Sequence, residues 1–140
     1  MRHLTYLLMA SGLCFLWSGC GRSAEYGYVS GTVTLDGQPL KDAFVVFFPE
    51  DADIGTTAYG KTDSDGFYEM SISDAHGGIL PGSYRVDIHT TDIAVDDNGR
   101  ESWLPELVPA KYNRKSELTG YQVDAGKSHE FNFELKAEGQ

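Results

Sequence analysis

The sequence predicts an all-β domain, a sandwich of two sheets built from about seven short antiparallel strands. Apolar and polar residues alternate over several short segments between residues 28 and 135, the pattern of strands that are buried on one face. Turn signals separate these segments, and the chain holds 16 glycines in 140 residues. No segment after residue 27 has the period of an amphipathic helix. We therefore expect a core made from alternate strand residues.

The first predicted strand is YVSGTVTL, which places Val29, Val33 and Leu35 on one face. It ends at Asp36–Gly37, because an Asp-Gly pair after alternating apolar residues is a strong signal for a tight turn. The second predicted strand, AFVVFFPE, covers residues 43–50 and ends at its proline.

The third and fourth predicted strands, TAYGKT and FYEMSIS, flank the acidic stretch KTDSDG at residues 61–66. In FYEMSIS the alternate residues Tyr68, Met70 and Ile72 share one face. A fifth strand follows the Pro-Gly turn of LPGSYRVDIHT, and two more surround the glycine of GYQVDAGKSHEFNFEL. The apolar residues that alternate in these last strands include Tyr84, Val86, Ile88, Phe131, Phe133 and Leu135.

The stretch KTDSDG has two interpretations, a calcium loop or a turn. Aligning Gly66 with the invariant glycine of an EF-hand loop places Asp63 and Asp65 at ligand positions. The two terminal ligand positions then fall on Lys61 and Ile72, so an EF-hand is excluded. A hairpin turn is favoured, because an aspartate side chain accepts bonds from the backbone two residues later and glycine adopts positive φ. A looser calcium site would need further acids, such as Glu50, Asp51 or Asp53.

The N-terminal residues have the pattern of an export signal. A short basic start, MRH, precedes the uncharged run LTYLLMASGLCFLW of 14 residues. This run is shorter than the roughly 20 residues that span a bilayer, and it has the length typical of the apolar core of a secretory signal. The following residues Ser18, Gly19 and Cys20 resemble the processing site of bacterial lipoproteins, although Trp17 stands where leucine is usual. The resemblance implies cleavage before Cys20 and lipid attachment to that cysteine.

Three ordered motifs carry a second resemblance: VSGTVTLDGQPLKDAFVVF, KTDSDGFYEM and LPGSYRVDI. Over about residues 28–90 the chain resembles the carboxypeptidase regulatory-like domains, which have a transthyretin-like (prealbumin-like) β-sandwich. This resemblance implies that fold and an accessory module without catalysis. We expect a signal peptide at 1–19, a lipidated cysteine and tether at 20–27, the sandwich domain at 28–136 and a tail at 137–140.

Composition and motifs disfavour several functional classes. The formal net charge of −10 argues against nucleic acid and against anionic membrane surfaces. The sequence contains no nucleophile elbow, no HExxH zinc motif and no P-loop, and His76, His89 and His129 are scattered. We therefore expect no catalytic residue, no metal and no cofactor, and the chain is not predicted to be an enzyme.

Aromatic residues mark a candidate interaction surface. In the second strand Phe44, Val46 and Phe48 should face outwards, where polar residues are usual. Either the irregular segment at residues 91–117 covers them through Trp103 and its neighbour Leu104, or a partner does. Tyr112 in the same segment is a further candidate contact residue.

The function predicted from these features is a non-catalytic, lipid-anchored β-sandwich that serves the cell envelope as a binding or structural module. Its partners would be the membrane, through the lipid on Cys20, and an envelope protein or polysaccharide. The location would be the outer membrane or the periplasmic side of the inner membrane. Two alternatives are a carbohydrate-binding module that uses Trp103 and Tyr112, and a small hydrolase of the transthyretin fold.

Overall fold

A computed structural model describes residues 25–74 and 76–137 of the chain. The predicted signal peptide, Cys20 and the tether as far as residue 24 lie outside these described residues, as does the end of the predicted tail. Across the described part, no helix combines the length and the apolar character needed to cross a membrane.

The described residues form thirteen short strands and one 3₁₀ helix. In chain order these are β1 (Tyr28–Leu35), β2 (Gln38–Pro39), β3 (Phe44–Pro49), β4 (Ala58–Lys61), β5 (Phe67–Glu69), β6 (Ser71–Ser73), β7 (His76–Gly77), β8 (Gly82–His89), β9 (Ile93–Val95), β10 (Glu101–Trp103), the 3₁₀ helix (Ala110–Tyr112), β11 (Tyr121–Val123), β12 (Ser128–Glu130) and β13 (Phe133–Leu135). The prediction of an all-β fold is confirmed, but the expected seven strands are divided into shorter pieces.

The first sheet is centred on β1. Strands β2 and β5 pair with it antiparallel along one edge, while β12 and β13 pair with it in parallel along the other. The expectation of antiparallel strands throughout is therefore wrong for the C-terminal pair. The turn at Asp36–Gly37 joins β1 to β2, with φ of 51° and 81°, as a tight hairpin turn with two positive φ angles requires.

The second sheet has the order β11-β8-β3-β4-β6-β7, and its named strands pair antiparallel. Its inner face packs against the first sheet around one hydrophobic core. Most of the largest fully buried side chains alternate along the strands as predicted: Val33, Val45, Phe47, Tyr68, Tyr84, Val86, Ile88 and Leu135. Ile79 and Val123 are also fully buried, although the sequence pattern did not single them out. Burial of this apolar area is the main stabilising contribution to the fold.

The predicted strand FYEMSIS changes sheets at Met70. Its first half, β5, pairs with β1, and its second half, β6, pairs with β4. The Met70 N–H donates to Val29 at 2.9 Å in the first sheet, whereas its carbonyl accepts the Gly78 N–H at 3.2 Å beside the second sheet. The stretch KTDSDG therefore links two sheets and does not close a hairpin within one sheet.

The turn within KTDSDG is built as the sequence predicts. One carboxylate oxygen of Asp63 accepts the N–H groups of Asp65, at 2.9 Å, and Phe67, at 3.0 Å. Gly66 adopts a φ of +75°. This carboxylate oxygen is thus engaged in holding the backbone of the turn.

The edge formed by β12 and β13 is interrupted at Phe131 and Asn132. The side-chain oxygen of Asn132 accepts the Thr32 N–H at 2.8 Å, in the place of a backbone carbonyl. The carbonyl of Phe131 instead accepts the Tyr68 hydroxyl at 2.7 Å. Gly31 lies so close to that carbonyl that a Cβ at position 31 would overlap it. We call this arrangement the Phe131 joint; it requires glycine at position 31.

Candidate functional site

The segment at residues 91–117, predicted to be irregular, contains a β-hairpin formed by β9 and β10. Asp96 builds its turn, because one carboxylate oxygen accepts the N–H groups of Asn98, at 2.8 Å, and Arg100, at 2.9 Å. An Asn-Gly pair between the alternating stretches IAV and ESW was the available signal for this hairpin.

One face of this hairpin is largely apolar and exposed. Trp103 lies directly opposite Ile93, and Val95 lies opposite Glu101, so these four side chains share a face. Trp103 is 74% exposed, Val95 62% and Ile93 44%. We call this set of four residues the hairpin face. Two further leucines that follow in the chain, Leu104 and Leu107, are also exposed.

Trp103 does not cover the outer face of β3, contrary to one expectation from the sequence. Phe44, Val46 and Phe48 are half-buried beneath side chains of the neighbouring strands of their own sheet. The Lys61 ammonium lies 4.6 Å from the centre of the Phe44 ring, and the Arg85 guanidinium lies 4.9 Å from the centre of the Phe48 ring. The long cationic side chains therefore shield these rings.

Lys61 also fixes the base of the hairpin. Its ammonium donates to the carboxylate of Asp92 at 3.0 Å, and the Ile93 N–H donates to the same carboxylate at 2.8 Å. The hydrogen bond from Lys61, followed by that from Ile93, lowers the pKa of Asp92 below its ordinary value.

Beside the hairpin a groove of about 570 Å³ lies against the outer face of β8. It is lined by Asp87, His89, Thr91, Glu106, Asn113 and Arg114. Burial alone would raise the pKa of Glu106, but hydrogen bonds from the Val108 and Thr90 N–H groups and from the Thr91 and Thr90 hydroxyls outweigh it and lower the pKa. This carboxylate therefore serves to hold the loop together.

Tyr112 is less available than Trp103. Its ring is half-buried against the core, and its hydroxyl accepts the Lys136 N–H at 3.3 Å. The Lys111 ammonium lies 5.0 Å from the centre of the same ring. Of Trp103 and Tyr112, only Trp103 presents an open face.

The histidines that the structure describes do not form a cluster. His89 ends β8 and stacks on Phe44, with the ring centroids 5.2 Å apart. His129 lies in β12, where its Nε2 accepts the Asp124 N–H at 3.0 Å. The side chain of His76 lies outside the described residues. Within residues 25–74 and 76–137, no group of three or more His, Cys, Asp and Glu side chains is placed to hold a metal ion.

The hairpin and the point where the chain enters the fold lie at opposite ends of the sandwich. Gly27 exchanges backbone hydrogen bonds with Ile79 and lies against Val123, which pairs with Gly82 at the start of β8. The hairpin follows His89 at the other end of β8. An eight-residue strand separates the two ends by about 23 Å.

No protein-family model matches the chain, and no curated protein matches it. Among solved structures it is similar to a 9R-lipoxygenase from Cyanothece PCC8801, with 12% identity and a TM-score of 0.40 over 81% of this chain and 16% of that chain. It is also similar to a Pseudomonas aeruginosa protein with a proposed role in carbohydrate binding, with 13% identity and a TM-score of 0.44 over 79% of this chain and 89% of that chain. Likeness at this level carries no argument about function, which must come from the side chains of this chain.

Proposed function

We propose that this chain is a non-catalytic binding module of the cell envelope and that the hairpin face is its binding surface. The observation that carries the proposal is the exposure of Trp103, 74% of which is open to solvent beside two exposed aliphatic side chains. Tryptophan is enriched among the residues that dominate binding energy at interfaces. An exposed apolar surface is a feature of interaction sites.

The proposed anchor and the proposed binding surface fit one another geometrically. A lipid on Cys20 would hold the N-terminal end of β1 near the membrane through the short tether at residues 20–27. The hairpin would then point away from that membrane, because it lies at the opposite end of β8. From the resemblance of its motifs over about residues 28–90, we also propose that the chain is an accessory module of the carboxypeptidase regulatory-like kind.

The mass of the mature N-terminal peptide, measured from the native host, tests the anchor. We expect a diacylglyceryl group on Cys20, and we expect a Cys20→Ala variant to leave the membrane fraction. An unmodified N-terminus together with unchanged fractionation of the variant would contradict the anchor.

Photo-cross-linking in the native envelope tests the binding surface. A photoreactive residue placed at Trp103 should give a discrete adduct, because the side chain points out from the hairpin face. The matched control is the same residue at the exposed Glu134 on the first sheet, which should give none. Equal yields at the two positions, or no adduct at either, would contradict the proposal.

Carbohydrate binding is a second candidate function, favoured by the open ring of Trp103, on which a sugar could stack. Titration with soluble cell-wall oligosaccharides, followed by tryptophan fluorescence, tests it. A small hydrolase is disfavoured because His89 and His129 lie in different sheets, near opposite ends of the sandwich.

A further inference from the structure

We propose that the occupant of the hairpin face is a protein surface that combines basic and apolar side chains. This inference rests on the proposed function, because it names the class of partner for the same site. It comes from two observations, the nature of the side chains around Trp103 and the charge of the hairpin that carries them.

The residues around Trp103 favour a protein surface over a sugar. Ile93, directly across the hairpin, and Val95, on the same face, are aliphatic and cannot hydrogen-bond to sugar hydroxyls. An aromatic ring among aliphatic side chains is the composition of an interface core, where apolar burial supplies the affinity.

The charge of the hairpin favours a basic partner. Residues 92–104 carry four acidic side chains and one arginine, Arg100. Asp92 is paired with Lys61, and Asp96 is bonded to the turn backbone. Among the described residues, Asp97 and Glu101 form no ion pair, and Glu101 lies on the hairpin face itself. Complementary lysine or arginine side chains would speed association and fix its orientation.

The same charge argues against two other occupants. A second copy would bring like-charged hairpins together, which is unfavourable within the Debye length of about 8 Å at physiological salt. An anionic membrane would repel the acidic hairpin in the same way. The position of the hairpin at the end away from the tether also separates it from the membrane that would hold the anchor.

The test uses the full chain with Trp17→Phe, which leaves Trp103 as its only tryptophan whether or not the N-terminal segment is removed. The probe is an amphipathic peptide of leucine and lysine, and the control probe has glutamate in place of lysine. We expect the lysine peptide to shift the Trp103 emission to shorter wavelength and protect it from acrylamide. The glutamate peptide should do neither.

Two pairs of charge reversals separate specific docking from general attraction to an acidic protein. The double variant Asp97→Lys, Glu101→Lys should bind the lysine peptide about tenfold more weakly or worse. Glu69→Lys with Glu134→Lys, at exposed positions on the first sheet, makes the same change in net charge and should leave affinity within about twofold. Equal weakening by both pairs, or equal binding of the glutamate peptide, would overturn the inference.

Further probes distinguish failure of this inference from failure of the proposed function. Protection of Trp103 by oligosaccharides, by phosphatidylglycerol vesicles or by raised protein concentration, without protection by the lysine peptide, would overturn the inference and keep the hairpin face as a binding surface. If none of these probes protects Trp103, and the residue is equally open in native envelopes, both the inference and the proposed function fail.

Discussion

Tyr68 and Trp103 are two large aromatic residues on short strands of the same chain, and the fold treats them in opposite ways. Tyr68 is 1% exposed and its hydroxyl is bonded within the Phe131 joint, whereas Trp103 is 74% exposed on the hairpin face. Burial, followed by the neighbouring Tyr121, raises the pKa of Tyr68 well above its ordinary value, so its phenol stays neutral. The joint is arranged for stability, and the hairpin face leaves apolar surface available to a partner.

The largest effect is expected at the Phe131 joint for Gly31→Ala. The added methyl group would overlap the carbonyl of Phe131, so the backbones of β1 and the C-terminal strands would have to separate. We expect a loss of about 3 kcal/mol or more in the free energy of unfolding, measured by urea denaturation. Gly77→Ala is the matched control, because a Cβ there meets nothing within 4 Å and should cost less than about 1 kcal/mol. Similar losses for both variants would remove the special role of Gly31.

Tyr68→Phe should have a smaller effect at the same joint. The variant keeps the buried ring but deprives the Phe131 carbonyl of the hydroxyl that donates to it at 2.7 Å. We expect a loss of about 1–3 kcal/mol, measured by thermal or urea unfolding. Tyr59→Phe, at an exposed ring, is the control and should be neutral within about 0.5 kcal/mol. A neutral Tyr68→Phe would contradict the importance of this hydrogen bond.

Glu106 lies between the core and the hairpin, and its ionisation should make the stability of the fold depend on pH. The pKa of Glu106 is lower in the folded state than its unfolded value of 4.5, so the ionised carboxylate stabilises the fold fully above that unfolded pKa. This stabilisation is lost as the pH falls through the lower folded pKa. Glu106→Gln should lose about 1 kcal/mol at neutral pH, because a neutral amide accepts these hydrogen bonds less strongly. The difference from the wild type should disappear at low pH in unfolding measured from pH 7 to pH 2. A difference that is constant across this range would contradict a lowered pKa for Glu106.

Trp103→Ala should have the smallest effect on folding and a large effect on binding. Because the ring packs against little of the fold, we expect the free energy of unfolding to change by no more than about 0.5 kcal/mol. In the peptide titration the same substitution should weaken binding by about tenfold or more. Because the variant lacks the Trp103 emission, a fluorescently labelled peptide is the readout for both the variant and the wild type. A large loss in the free energy of unfolding would show that Trp103 contributes to the packing of the core, contrary to this prediction.

The alternation in the sequence was sufficient to predict the all-β sandwich and most of its inward-facing residues. Tyr68 and Val86 face the core because strand geometry has a period of two, which can be read from sequence. The change of sheet at Met70 and the parallel pairing of β12 and β13 depend on contacts between distant segments, so local patterns do not define them.

The candidate site was predicted only in part. Trp103 was named from its residue type, but its role as a cover for Phe44 was wrong, because Lys61 and His89 already lie against that ring. Cross-strand neighbours of this kind follow from the register of β3 with β4 and β8, which a single sequence does not supply. Tyr112 was named on the same grounds as Trp103, yet only the structure separates the half-buried ring from the exposed one.

The most direct test of the contrast between the two regions is hydroxyl-radical footprinting of the chain, once purified and once in native envelopes. We expect rapid oxidation of Trp103 in the purified protein and at least about fivefold protection in the envelope, since a bound partner excludes water from the contact. Exposed Tyr59 should react equally in both samples, and buried Tyr68 should react in neither. Equal oxidation of Trp103 in the two samples would contradict the claim that the hairpin face is a binding surface.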